Sequence, residues 1–66
     1  MDADLFEYEM KKLGYRTHKQ RADALEMSLS AYYRRVRNII ECTREDIEKV
    51  ATLLGWDLAK RIFFGD

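Results

Sequence analysis

No proline interrupts the 66 residues of this chain, and it has only three glycines, Gly14, Gly55 and Gly65. These two residue types are the main interrupters of helices. Proline lacks the N–H and clashes with the preceding turn, and glycine loses the most backbone freedom on ordering. A chain so poor in both, and without the β-branched alternation of strands, is expected to fold as helices joined by short turns. Its length sets the scale at a single domain, residues 1–66, of a size that buries about 60% of the surface its unfolded form exposes. Hydrophobic residues make up 47% of the sequence, enough for one compact core and too many for a disordered tail.

Apolar periodicity divides the chain into five helical segments. The first runs from about Asp4 to Leu13 with Phe6, Met10 and Leu13 on one face, acids at its start, Lys11 and Lys12 at its end, and Gly14 where a glycine cap belongs. Thr17 opens the second, and Gln20 three residues on gives the spacing of a capping box, in which each side chain satisfies the other's backbone N–H. Ala22 and Leu25 follow at helical spacing, and Met27 closes the segment. Ser28 is the expected N-cap of a third helix, Leu29 to Asn38, with Leu29, Tyr32 and Val36 on one face and Tyr33, Arg34 and Arg37 on the other.

Ile39, Ile40 and Cys42 form a short apolar connector. Thr43 then caps a fourth helix, with Asp46 as the partner in a second capping box, and Ile47, Val50, Ala51 and Leu54 form the clearest amphipathic stripe of the chain. Gly55 ends it, and Asp57 is the expected N-cap of a short fifth helix carrying Leu58, Ile62 and Phe63. The expected fold is all-α, a compact bundle of five short helices.

Cys42 is the sole cysteine, so no disulfide closes within the chain. No apolar leader precedes the first charges, and the longest apolar runs fall far short of the roughly 20 residues that span a bilayer. A reducing cytoplasm is the expected compartment, with no membrane partner. One histidine and one cysteine, without HExxH or CxxC spacing, make no metal site; no glycine-rich phosphate loop and no nucleophile beside a base is present. Neither an enzyme nor a cofactor or small-molecule substrate is expected.

The formal net charge of zero conceals an uneven distribution. Residues 1–10 carry Asp2, Asp4, Glu7 and Glu9 and no base, a net of −4. Residues 11–37 carry eight bases (Lys11, Lys12, Arg16, Lys19, Arg21, Arg34, Arg35, Arg37) against Asp23 and Glu26, a net of +6. The remainder, with four bases and six acids, returns −2. A basic middle between acidic ends is the footprint of a polyanion-binding face, and it is equally what solvated helix charges give.

The second and third helices, about twenty residues with a turn of three or four between them, have the size of a helix-turn-helix unit. The stretch THKQRADALEMSLSAYYRRVRN, Thr17 to Asn38, resembles the helix-turn-helix of the small Cro/CI-type (lambda-repressor-like) DNA-binding proteins, with Ala22, Leu25, Met27, Ser28 and Tyr32 where that family places such residues. The continuation TREDIEKVATLLGWDLAKRIFF is similar to the fourth and fifth helices of short phage-encoded members from Gram-positive bacteria. Three positions depart from the pattern. Glu26 stands where the turn commonly has glycine, which in a left-handed conformation costs about 1 kcal/mol or somewhat more. Arg21 takes a usually apolar site, its stem expected along the core with the guanidinium reaching out. Arg35 takes another, leaving the packing to Val36.

The resemblance implies a sequence-specific regulator of double-stranded DNA, a Cro-like phage or prophage repressor whose third helix enters the major groove. Leu29, Ser30, Tyr33, Arg34 and Arg37 would then face the bases. Arg34 suits a bidentate pair with guanine, Ser30 several bases, Leu29 a thymine methyl, and Tyr33 and Arg37 either a base or a phosphate. Arg16, His18 and Lys19 would meet phosphates, setting register rather than reading sequence. The family's two-fold dimers imply a homodimer, for which Trp56, Ile62, Phe63 and Phe64 offer apolar area. Two other readings stand beside this one: a small helical adaptor for another protein, such as a phage antirepressor-type factor, and an architectural recombination accessory protein.

Overall fold

The computed structural model describes residues 1–37 and 42–65. Among them the chain is all-helical, with α1 (Ala3–Lys12), α2 (His18–Ala24), α3 (Leu29–Arg37), α4 (Arg44–Leu54) and α5 (Trp56–Phe64). Asn38, Ile39 and Ile40, the expected end of the third helix and its connector, lie outside the described residues. None of the helices is long and apolar enough to cross a membrane.

Each helix boundary has an identifiable chemical cause. Asp2 caps α1 by accepting from the Leu5 N–H at 3.1 Å, so the helix begins a residue before the expected Asp4. At its other end the Gly14 N–H donates to the Lys11 carbonyl and the Tyr15 N–H to that of Met10, both at 3.0 Å. This pair of bonds is a Schellman motif, and Gly14 holds the positive φ of +96° that it requires. Leu13 closes the helix as its C-cap and stays 52% exposed. It does not join Phe6 and Met10 on the buried face as its spacing suggested, because the chain leaves the helix there.

The same motif closes α2. The Glu26 N–H donates to Asp23 and the Met27 N–H to Ala22, at 3.0 and 3.1 Å, and Glu26 is the one non-glycine with positive φ among the described residues, at 57°. Both capping boxes form as their spacing predicts, Thr17 with Gln20 and Thr43 with Asp46. Ser28 likewise accepts from the Ala31 N–H at 3.1 Å, as an N-cap should. Asp57 is not the cap of the last helix. Gly55, at φ 92° and ψ 156°, is at once the C-cap of α4 and the N-cap of α5. That backbone conformation is open essentially to glycine alone, and it turns the chain from one helix into the next with no residue between for Asp57 to cap.

The core takes side chains from every helix: Phe6 and Met10 from α1, Ala22 from α2 with Leu25 at its C-cap, Tyr32 from α3, Val50 and Ala51 from α4, and Ala59, Ile62 and Phe63 from α5. Helix α4 packs on α5, α2 on α3, and α1 on α5. The last of these pairings is reinforced by the Asp2 N–H, which donates to the Ile62 carbonyl at 2.7 Å. Both groups belong to helix termini and lack intrahelical partners, so each satisfies the other.

Candidate functional site

Helix α3 divides cleanly into two faces. At 3.6 residues per turn, positions 30, 33, 34 and 37 stack on one side, and Ser30, Tyr33, Arg34 and Arg37 are all exposed there. Leu29, at the border of this face, is 37% exposed; it does not complete the apolar stripe with Tyr32 and Val36 but stands beside the outward residues. The opposite side is anchored. Tyr32 is buried, Val36 packs on the core, and Arg35 reaches α4.

The Arg35 anchor is a charged one. Its Nε donates to Oδ2 of Asp46 at 2.6 Å, and its Nη1 donates to the Ala31 carbonyl at 3.4 Å. The same Asp46 oxygen accepts from the Thr43 N–H at 2.9 Å. Burial pushes the Asp46 carboxyl up, but the Thr43 N–H and the Arg35 guanidinium together outweigh it and hold the group below its ordinary value of 3.8. A carboxylate that caps one helix thereby fixes the roll of another.

A second charged cluster lies inside the molecule, where α1, α2 and α3 meet. Arg21, expected to send its guanidinium outward, is 2% exposed instead. Its Nε donates to the Tyr32 hydroxyl at 3.0 Å, Nη1 to the Tyr15 carbonyl at 2.9 Å, and Nη2 to Glu7 at 3.5 Å, with Nδ1 of His18 at 3.3 Å from Nη2. A buried guanidinium is tolerated only when its donors are met in this way, and no buried side-chain N or O among the described residues lacks a partner. Burial pushes the Tyr32 hydroxyl above its ordinary 10.0, against the pull of the Arg21 hydrogen bond and charge. Sequence reasoning missed this cluster because Glu7 and the Tyr15 carbonyl approach Arg21 only through tertiary packing. The signal at hand was a charged residue in the buried register of α2, with an acid on α1 to meet it.

The expected phosphate-contacting residues divide similarly. Arg16 is exposed, with its backbone N–H donating to Gln20 at 2.8 Å. Lys19 is exposed and pairs with Asp23 at 2.9 Å. His18 is half-buried, and its ring meets that of Tyr33 edge-on at 5.3 Å and tilts against Tyr32 at 5.7 Å. Tyr33 is in turn edge-on to Tyr32 at 5.8 Å, so the outward face of α3 and the start of α2 share one braced group of rings. Arg34 and Arg37, by contrast, have no ion-pair partner among the described residues.

The apolar residues expected at a dimer contact do not act together. Ile62 and Phe63 are core residues, 1% and 4% exposed, because the face of α5 that carries them packs inward. Trp56 and Phe64 remain outside, 56% and 66% exposed. Cys42 is partly buried against the core, its Sγ 3.6 Å from the Arg35 carbonyl. Among the described residues no group of three or more His, Cys, Asp or Glu side chains is placed to hold a metal ion. Comparison of the chain with protein-family models, with curated proteins and with solved structures finds no match in any of the three.

Proposed function

We propose that this protein binds double-stranded DNA in a sequence-specific way, with α2 and α3 acting as a helix-turn-helix and α3 lying in the major groove. The observation that carries the reading is the division of the basic middle segment. Arg21 and Arg35 are consumed by internal partners, while Arg34 and Arg37, with no ion-pair partner among the described residues, lie on one exposed face with Ser30 and Tyr33. A helix fits a groove about 12 Å wide, and an arginine whose fork is not already engaged can pair with guanine O6 and N7. Leu29 at the start of α3 adds a surface for a thymine methyl. Arg16, His18 and Lys19 at the start of α2 are the phosphate contacts of this reading, and they fix register.

For a domain of five short helices, occupancy of a site that another protein needs is the simplest mode of action. That is repression in the manner of a Cro-like regulator. A homodimer on a two-fold site follows from the small area one copy offers to DNA, and its contact falls to Trp56 and Phe64.

The test is selection of bound duplexes from a random pool at moderate salt, followed by sequencing. A two-fold symmetric motif with half-sites about one helical turn apart supports a dimeric, sequence-reading regulator. Weak retention that varies only with salt, with no motif enriched, is the behaviour of an architectural binder. A second reading, an adaptor that holds another protein, is favoured by the exposed Trp56 and Phe64 and the zero net charge. Absence of any duplex binding would move the weight to it.

A further inference from the structure

His18 stands where α1, α2 and α3 converge, and one of its two ring nitrogens is turned inward. Nδ1 lies 3.3 Å from Nη2 of Arg21, 3.5 Å from the Tyr32 hydroxyl and 4.0 Å from Oε1 of Glu7. A guanidinium offers donors and no acceptor. An atom facing it at hydrogen-bond distance therefore takes the acceptor's role, which places the lone pair on Nδ1 and the ring proton on Nε2. A second proton on Nδ1 would point N–H against N–H.

The two ring nitrogens are directed well apart around the ring, so with Nδ1 facing Arg21 the Nε2 is directed away from it. The His18 side chain keeps 44% of its accessible surface. The rings of Tyr32 and Tyr33 lie against the imidazole at 5.7 and 5.3 Å. Arg21 is itself pinned by the Tyr32 hydroxyl, the Tyr15 carbonyl and Glu7, so the nitrogen that His18 meets has little freedom to move away. The charged and titratable groups around the imidazole are thus Glu7 from α1, Arg21 on its own helix, and Tyr32 and Tyr33 from α3.

We propose that Glu7, Arg21 and Tyr32 position His18 as a neutral Nε2–H donor to a DNA phosphate oxygen. The proposal rests on the reading that the α2–α3 face meets DNA, and it assigns a tautomer and a charge state to one contact within it. A neutral donor orients the duplex without displacing a counterion, unlike Arg16 or Lys19, whose charges do. Which nitrogen of a histidine carries the proton is set by the bond that the other nitrogen makes; here that bond is to a buried arginine, and Arg21 is a positioning residue.

The first arm of the test needs no DNA. Long-range ¹H–¹⁵N correlation of the full chain at near-neutral pH is expected to give a pyrrole-type Nε2 and a pyridine-type Nδ1 for His18. The Nδ1–H tautomer, or a doubly protonated ring, overturns the proposal. Arg21→Lys keeps the charge but not the fork, and in the folded variant mixed tautomers are expected; an unchanged spectrum removes Arg21 from the role. Should that variant fail to fold, Glu7→Gln, which loosens the Arg21 pin from a half-buried position, is read for the same mixing.

The second arm uses the enriched duplex. His18→Gln puts an amide nitrogen near the place of Nε2 and is expected to hold affinity within about twofold, whereas His18→Asn, which reaches only the place of Nδ1, loses roughly tenfold or more. Neither substitution should change the slope of log affinity against log salt; a drop of about 0.9 in His18→Gln means that a charged ring was paired with the phosphate, and overturns the proposal. If the native chain binds no duplex while the tautomer is as expected, it is the DNA reading and the phosphate role that fall, and the assignment of the proton to Nε2 stands on the spectrum.

Discussion

Arg21 donates its Nε–H to the hydroxyl of Tyr32 across 3.0 Å, with both side chains inside the core. Removing one member of a buried charged cluster costs about 3–5 kcal/mol, because what remains is left without a partner. Set against a total stability of roughly 5–15 kcal/mol for a domain, Arg21→Ala is expected to remove a large share of the stability. Arg21→Met fills the volume but leaves the Tyr32 hydroxyl only its 3.5 Å contact with His18 Nδ1, and adding Tyr32→Phe should return about 1 kcal/mol. Urea titration of the single and double variants checks this. Equal midpoints for the two would show that the hydroxyl does not depend on Arg21.

Asp46 makes stability depend on acid. Its carboxyl is held below the ordinary 3.8 in the folded chain, so the unfolded state takes up the proton first as pH falls. The stabilisation is complete above about pH 4 to 5 and is lost as pH drops toward and through the folded value. Asp46→Asn is expected to flatten that acid limb while lowering stability at neutral pH. Urea midpoints at neutral pH and near pH 3 provide the measurement, and an acid limb of unchanged slope in the variant would place the effect elsewhere.

Glu26 sits in the left-handed region at φ 57°, where an L side chain costs about 1–2 kcal/mol relative to the right-handed form. Glycine there avoids the clash but has more unfolded-state freedom to lose, so Glu26→Gly is expected to gain roughly 0.5–1 kcal/mol. The denaturation midpoint should rise without a change in the steepness of the transition. A lower midpoint would mean that the Glu26 side chain stabilises the turn by more than the backbone strain.

Arg34 is exposed and unpaired among the described residues, so Arg34→Ala should leave stability within about 0.5 kcal/mol of the native chain. On the proposed function it removes about 1–3 kcal/mol of discrimination at one base pair of the selected motif. Competition between the matched and the mismatched duplex reads the difference. Retained discrimination would take base reading away from Arg34.

Trp56 and Phe64 lie outside the core on α5, and a dimer through them predicts that Trp56→Ser with Phe64→Ser yields a monomer with unchanged helical content. Sedimentation equilibrium of native and variant chains is the check. A native chain that is monomeric at high micromolar concentration leaves dimerisation only on DNA.

Much of the fold was legible because its signals are local. The two capping boxes need only residues three apart, Gly14 and Gly55 mark helix ends by their own conformational freedom, and Val50 with Ala51 follows from a helical period. Contacts that depend on distant parts of the chain were not legible. Arg21 was expected to reach out because nothing in its neighbourhood shows that Glu7 and the Tyr15 carbonyl will come to it. Ile62 and Phe63 were grouped with Trp56 and Phe64 because all four are apolar and close in sequence; only the packing of α5 divides them. Of the candidate site, the exposure of Tyr33, Arg34 and Arg37 followed from periodicity, while the ring group that braces Tyr33 did not.

The bond from the Asp2 N–H to the Ile62 carbonyl makes the fold a closed ring of about sixty residues. The entropy of closing a loop grows only with the logarithm of its length, but it must be met before the contact returns anything. The neighbouring pairs α2–α3 and α4–α5 close only short loops, so most of this cost falls on the contact between α1 and α5. Glu7 meets Arg21 across a separation of only 14 residues, so the interior charge is met by a short closure, and the long one is made where Asp2 bonds to Ile62.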